Sequence, residues 1–203
     1  MKRINENPPA RFPNRPIAEA QAPWWIAKIK PRMEKALAFD FVKENIEYYL
    51  PLVTKVTRRK DNNKPRKSVL PLFPGYISFC STEKNATSIY KTGRIVSIIT
   101  IKNQRHFKEE LSQIFQVLES GIVLEPIQAS FPVGSPVYVY AGPMKGIRGI
   151  IARIQDSNRL VLSVNGLGQA CMQIDAAYIK PDIELPNPML PTTLSLRGHV
   201  AMG

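Results

Sequence analysis

The stretch that most restricts how this chain can fold is Val137-x-Val139-x-x-Gly142-Pro143-x-x-Gly146-x-x-Gly149-x-Ile151. Gly142 and Pro143 impose a tight reversal, Gly146 permits a positive φ, and Gly149 lets a returning strand come close to its neighbour. Residues 133–140 alternate ahead of this turn and 149–154 extend after it; 160–164 and 170–174 are further extended pieces. Asp156-Ser157-Asn158 and Asn165-Gly166-Leu167-Gly168 supply the turns between them. Short strands with Gly-rich turns in about 50 residues predict a small all-β, five-stranded barrel over residues 131–181.

The preceding residues follow a different pattern. Trp24-Trp25-Ile26-Ala27-Lys28-Ile29-Lys30 reads as a strand, and Pro31 stands where a helix can start without needing its N–H, so a helix is expected over 31–46. Its apolar arc comprises Met33, Leu37 and Phe41 with Phe39, Val42 and Ile46, and is wider than one sheet contact requires. Deep packing and a partner surface both account for that width. Extended arms at 48–53 and 69–72 flank Lys55, Arg58, Arg59, Lys60, Lys64, Arg66 and Lys67 around Asp61-Asn62-Asn63, the pattern of a protruding hairpin. A strand over 75–80, a short helix near 83–91, a β-branched run over 95–101 and a helix over 105–118 complete the order β-α-β-β-β-α-β-α. That order predicts an α+β domain at 23–118, with helices against an antiparallel sheet. The Pro-rich residues 1–22 are expected to be a disordered leader, 119–130 a linker, and 182–203 a loosely ordered tail.

Charge separates the two halves. The chain has 203 residues and a net charge of +12; residues 1–118 hold 22 of the 28 Lys and Arg and 10 of the 16 Asp and Glu, so all of the excess lies there and the remainder is neutral. An anionic partner, nucleic acid above all, is expected at the first domain, and a protein partner at the second. No apolar run is long enough to span a bilayer and the first residues lack a signal-peptide core, so a cytoplasmic monomer away from membranes is expected. Cys80 and Cys171 lack metal-site spacing and read as small buried groups. His106 and His199 stand alone, and no nucleophile–base pair, P-loop or dinucleotide fingerprint is present. No catalysis, cofactor or metal is expected.

The Gly142-Pro143-x-x-Gly146-x-x-Gly149 pattern, followed by Arg159-Leu160-Val161-Leu162 and Ile179-Lys180-Pro181, closely resembles the KOW module of NusG and of certain ribosomal proteins. Trp24-Trp25, Tyr49-Leu50-Pro51 and Pro71-Leu72-Phe73-Pro74-Gly75-Tyr76 resemble, in the same order, the NusG N-terminal (NGN) domain. The chain is thus similar to the NusG family over residues 24–181. The wording around Leu50-Pro51 and Phe73-Pro74 is nearer to specialised paralogues of the RfaH, LoaP and UpxY kind.

The resemblance implies a non-enzymatic elongation factor that bridges the clamp of RNA polymerase and suppresses pausing or termination. The specialised version is an antiterminator of a long operon, such as a surface-polysaccharide locus. It implies docking of Phe73, Pro74 and Tyr76 on the β′ clamp helices, although these three residues also suit closing the domain core. It further implies a β gate-loop contact at Ala86, Thr87 and Ser88, which lack the family's His. Lys30, Arg32, Lys35, Lys91 and Arg94 map to contacts with the non-template DNA strand, or form a solvated basic face. Leu167-Gly168-Gln169 aligns with the loop that binds the ribosomal protein NusE or the termination factor Rho. A housekeeping NusG-type factor and a KOW-bearing ribosomal or RNA-binding protein remain the alternatives.

Overall fold

The computed structural model describes residues 7–82, 88–127, 134–154 and 157–182. The first domain contains strands β1 (Arg11–Phe12), β2 (Trp24–Ile29), β3 (Glu47–Tyr49), β4 (Leu52–Arg58), β5 (Pro65–Pro71), β6 (Tyr76–Cys80) and β7 (Ile95–Thr100). Helices α1 (Glu34–Lys43) and α2 (Gln104–Glu119) accompany them. Five strands form one antiparallel sheet in the order β1-β3-β6-β2-β7, while β4 and β5 pair as a separate two-stranded arm.

Period-two alternation places β2 between two cores. Trp24 and Ile26 pack on the side of Phe107, Leu111, Ile114 and Val117 from α2. Ala27 and Ile29 pack on the other side, with Leu37, Ala38 and Phe41 of α1. Leu37 and Phe41 are fully buried whereas Phe39, Val42 and Ile46 are only half-buried, so one stripe of the broad α1 arc is deep core. That helix is shorter than residues 31–46 because Arg32 adopts φ 64° and Asn45 φ 53°, left-handed conformations that break the helical path at each end. At the far end the Ile46 N–H returns to the Phe41 carbonyl at 2.8 Å, a Schellman-type closure. Asn103 caps α2, its side chain accepting from the His106 N–H at 3.0 Å.

The expectation of a disordered leader over 1–22 is overturned from Asn7 onward. β1 adds to the sheet edge with Arg11 opposite Tyr49 and Phe12 opposite Tyr48, and Ile17 and Ala20 are buried beside α2. The Leu50 N–H donates to the Ala10 carbonyl, and the Tyr48 hydroxyl to the Pro9 carbonyl, both at 2.7 Å. Proline-rich composition hid this because a few apolar groups, held by a chain with little backbone freedom, suffice to cover an existing edge. The short helix expected near 83–91 falls partly outside the described residues; Ser88–Thr92 is a 3-10 turn.

The second domain comprises β9 (Pro136–Val139), β10 (Arg148–Ile154), β11 (Ser157–Val164), β12 (Gly168–Gln173) and β13 (Ile179–Pro181), all antiparallel. Part of the expected linker joins them: β8 (Glu125–Ile127) pairs with β12, opposing Glu125 to Cys171. Gly142 and Gly146 have φ 81° and 92° in the turn between β9 and β10. At Gly149 an added Cβ would stand 2.5 Å from the Val161 carbonyl oxygen, inside a backbone contact. Gly149→Ala should therefore force β10 from β11 and lower stability by about 1–3 kcal/mol. Urea unfolding is the check; an unchanged midpoint would show that the strands have room to spare.

Candidate functional site

Phe73-Pro74-Gly75-Tyr76 forms the β5–β6 turn. The Tyr76 N–H donates to the Phe73 carbonyl at 3.3 Å, with Pro74 and then Gly75, at φ 86°, in the central positions, the arrangement of a type II turn. The buried Glu34 side chain fixes it from α1, its Oε1 accepting from the Gly75 N–H at 2.8 Å. Pro74 is exposed and Tyr76 half-buried. Phe73 differs: it is 5% exposed and belongs to the apolar cluster that runs from the first domain into the second.

The covering residues come from the loop between β11 and β12. A Cβ at Gly168 would meet the Phe73 ring at 3.4 Å, and one at Gly166 would stand 2.8 Å from Cδ1 of Ile26. Leu167 is 8% exposed and Gln169 half-buried, its Nε2 donating to the Ser163 hydroxyl at 3.0 Å. Two surfaces expected to meet different partners thus meet each other.

Polar groups of α2 fasten the same contact. Glu110 Oε2 accepts from the Asn165 N–H at 2.9 Å, Gln113 Oε1 accepts from the Arg148 N–H at 2.7 Å, and Gln116 Nε2 donates to the Lys145 carbonyl at 3.3 Å. Spacing of three residues keeps all three on one helix flank. Between them and the sheet, Met144 and Ile147 are buried in the cluster that contains Ile114 and Val117. Burial raises the Glu110 carboxyl above its usual range, opposed by the Asn165 N–H and by His106, whose Nε2 lies 3.1 Å from Oε1. Sequence reading missed this interface. Its one available sign was a carboxylate and two amides at positions 110, 113 and 116, beside an apolar stripe.

The five basic candidates are not equally available. Lys30 Nζ donates to the Gly93 carbonyl at 2.7 Å, Lys35 Nζ to the Val69 carbonyl at 2.6 Å and to Asn7 Oδ1 at 2.7 Å, and Arg94 Nε pairs with Asp40 Oδ2 at 2.7 Å. Arg32 and Lys91 are exposed. Lys91 and Arg94 line an open cleft of about 550 Å³ together with Asp40, Lys43 and Glu44. Arg32 and Lys35 border another, of about 830 Å³, beside the arm. Ala86 and Thr87 lie outside the described residues, and Ser88 opens the 3-10 turn.

Both thiols are buried and unpaired, and burial pushes Cys80 up to about 11, away from a reactive thiolate. Among the described residues, no helix is long and apolar enough to cross a membrane. No curated protein matches the chain. It is similar to a solved structure described as "Domain interaction in Thermotoga maritima NusG", with 15% identity and a TM-score of 0.45, over 79% of this chain and 97% of that one. The family model described as "Transcription termination factor nusG" matches residues 22–116, so that the first domain, from the approach to β2 through most of α2, is the part of the chain similar to that family.

Proposed function

We propose that this chain is a non-enzymatic transcription elongation factor that binds RNA polymerase in the cytoplasm as a monomer. The observation that carries the reading is the match of residues 22–116 to the NusG family model. In this reading Phe73, Pro74 and Tyr76 dock on the β′ clamp helices, Thr87 and Ser88 approach the β gate loop, and Arg32 and Lys91 reach the non-template strand, with Lys30, Lys35 and Arg94 behind them. Binding that favours a closed clamp lowers the paused fraction by population shift. The role we favour is operon-specific antitermination, as at a surface-polysaccharide locus, rather than genome-wide action.

Phe73 is covered by the second domain, so docking through it requires the β11–β12 loop to leave. The same departure uncovers Leu167-Gly168-Gln169 for a protein partner such as NusE or Rho. Pull-down from bacterial lysate tests the reading. Core polymerase is expected to be retained by the intact chain and reduced at least about tenfold by Phe73→Ala with Tyr76→Ala, the loss of about 1.4 kcal/mol that one interface aromatic readily supplies. Ribosomal subunits recovered instead, equally by both forms, would replace this reading with the ribosomal one.

A further inference from the structure

Beyond Leu52 and Val53, which pack against the cores at its base, the β4–β5 arm has no part in either domain core. It is a two-stranded sheet of its own, and residues 54–67 are exposed throughout. Lys55, Arg58, Arg59, Lys60, Lys64, Arg66 and Lys67 stand against Asp61 alone, so the arm holds +6 of the chain's +12. Among the described residues none of the seven is ion-paired with a carboxylate; the pairs present involve Arg11, Arg15, Arg94, Arg105, His106, Arg148 and Arg159. Charge concentrated this way repels itself, and an anionic partner relieves that repulsion.

The register decides what shape the partner has. Residues paired across the ladder share a face: Lys55 with Ser68 and Thr57 with Arg66 on one, Val56 with Lys67 and Arg58 with Pro65 on the other. The Arg59 N–H donates to the Lys64 carbonyl at 3.0 Å, which carries the ladder to the tip. Both faces therefore bear cations. At the tip Arg58, Arg59, Lys60 and Arg66 surround an open hollow of about 490 Å³, with Thr57 and the Asp61 carboxylate in its lining. At a rise of about 3.4 Å per residue, alternate positions on one face are about 7 Å apart, a spacing that suits successive phosphates.

We infer that the β4–β5 arm enters a groove of double-helical DNA and grips the phosphates on both sides of it. A flat anionic membrane would meet one face and leave the other uncompensated. Single-stranded nucleic acid is held through aromatic stacking platforms, and residues 52–71 contain no aromatic side chain. A-form RNA has a major groove too narrow for a ribbon, whereas that of B-DNA, about 12 Å wide, admits one. In this assignment the arm's cations meet phosphates, contacts that set position on the duplex and carry no sequence information.

The test uses the whole purified chain without polymerase, so its outcome is independent of the docking proposed above. Fluorescence anisotropy on a labelled B-DNA duplex of arbitrary sequence is followed between 50 and 200 mM salt for the intact chain and for Lys55→Gln, Arg58→Gln, Arg66→Gln, Lys67→Gln combined. If all four side chains neutralise phosphates, the slope of log K against log salt falls by about 3–4 and binding at 100 mM salt weakens about 100- to 1,000-fold. A second variant, Arg32→Gln with Lys91→Gln, is expected to change the slope by less than about 2. An unaltered melting temperature is expected for the arm variant, whose replaced groups are exposed. A slope that the arm variant leaves unchanged overturns the proposal, as does tighter binding of an oligo-dT strand, an RNA duplex or phosphatidylserine vesicles than of the DNA duplex.

Discussion

Glu47→Ala is expected to lower the unfolding free energy by about 3–5 kcal/mol, because it strands a buried guanidinium. The Glu47 carboxylate, its side chain 10% exposed, lies between Arg11, 3% exposed, and Arg15, 37% exposed. Arg11 Nη2 reaches Glu47 at 3.3 Å and the Pro16 carbonyl at 2.8 Å, while its guanidinium stands 5.8 Å over the Phe115 ring. Desolvation lowers the pKa of Arg11 and Glu47 works against it, so the carboxylate is the main group that lets the charge stay where it is. Arg11 Nε and Nη1, and the Tyr49 hydroxyl opposite, have no hydrogen-bond partner among the described residues, which leaves little to compensate the loss.

Two comparisons separate this cause from ordinary packing. Glu47→Gln keeps an acceptor without the charge and should cost roughly half as much. Arg11→Met with Glu47→Leu removes both charges and should cost less than Glu47→Ala alone, since apolar replacement of a buried pair is often close to neutral. Urea unfolding measures all three, and trypsin cleavage after Arg11 should accelerate in Glu47→Ala. A loss below about 1 kcal/mol would mean that the segment ahead of β2 is not held by this pair.

Arg11 also shows where sequence reading stopped. Patterns that repeat were readable: the β2 alternation, the α2 stripe of Phe107, Leu111 and Ile114, and the glycine spacing of the β9–β10 turn each express a local rule of geometry. Features made by pairing distant segments were not. Nothing in residues 7–22 indicates that Arg11 will face Tyr49 across a ladder, because Pro-rich composition reports backbone stiffness and not the presence of an uncovered edge. β8 escaped notice for the same reason: Glu125-Pro126-Ile127 is too short to alternate and becomes a strand through β12. At the candidate site, the type II turn at Phe73 could be read from Pro74 and Gly75. The burial of Phe73 could not, since Gly168, some 95 positions later in the numbering, supplies the cover. Solvent exposure of the arm followed directly from its charge density, the one site property here that composition determines.

That cover leads to the second large effect, the combined Glu110→Ala, Gln113→Ala and Gln116→Ala variant. It removes three side-chain bonds between α2 and backbone groups of the second domain while leaving the Phe73 turn untouched. The charged acceptor is worth about 1.5–3 kcal/mol and each amide about 0.5–1, so closure weakens by about 3 kcal/mol, or roughly 100-fold. Apparent affinity for a partner that needs Phe73 scales with the fraction of molecules in which it is free. Polymerase binding by the variant is therefore expected to tighten by up to about 100-fold, with faster amide exchange at Gly166 and Gly168 as the separate sign that the loop has left. Adding Phe73→Ala should cancel the gain, because opening then exposes nothing to bind. Accelerated exchange with unchanged polymerase affinity would place docking elsewhere on the first domain. The apolar half of the contact, Met144 and Ile147 against Ile114 and Val117, would then be structural cement and not a gate over Phe73.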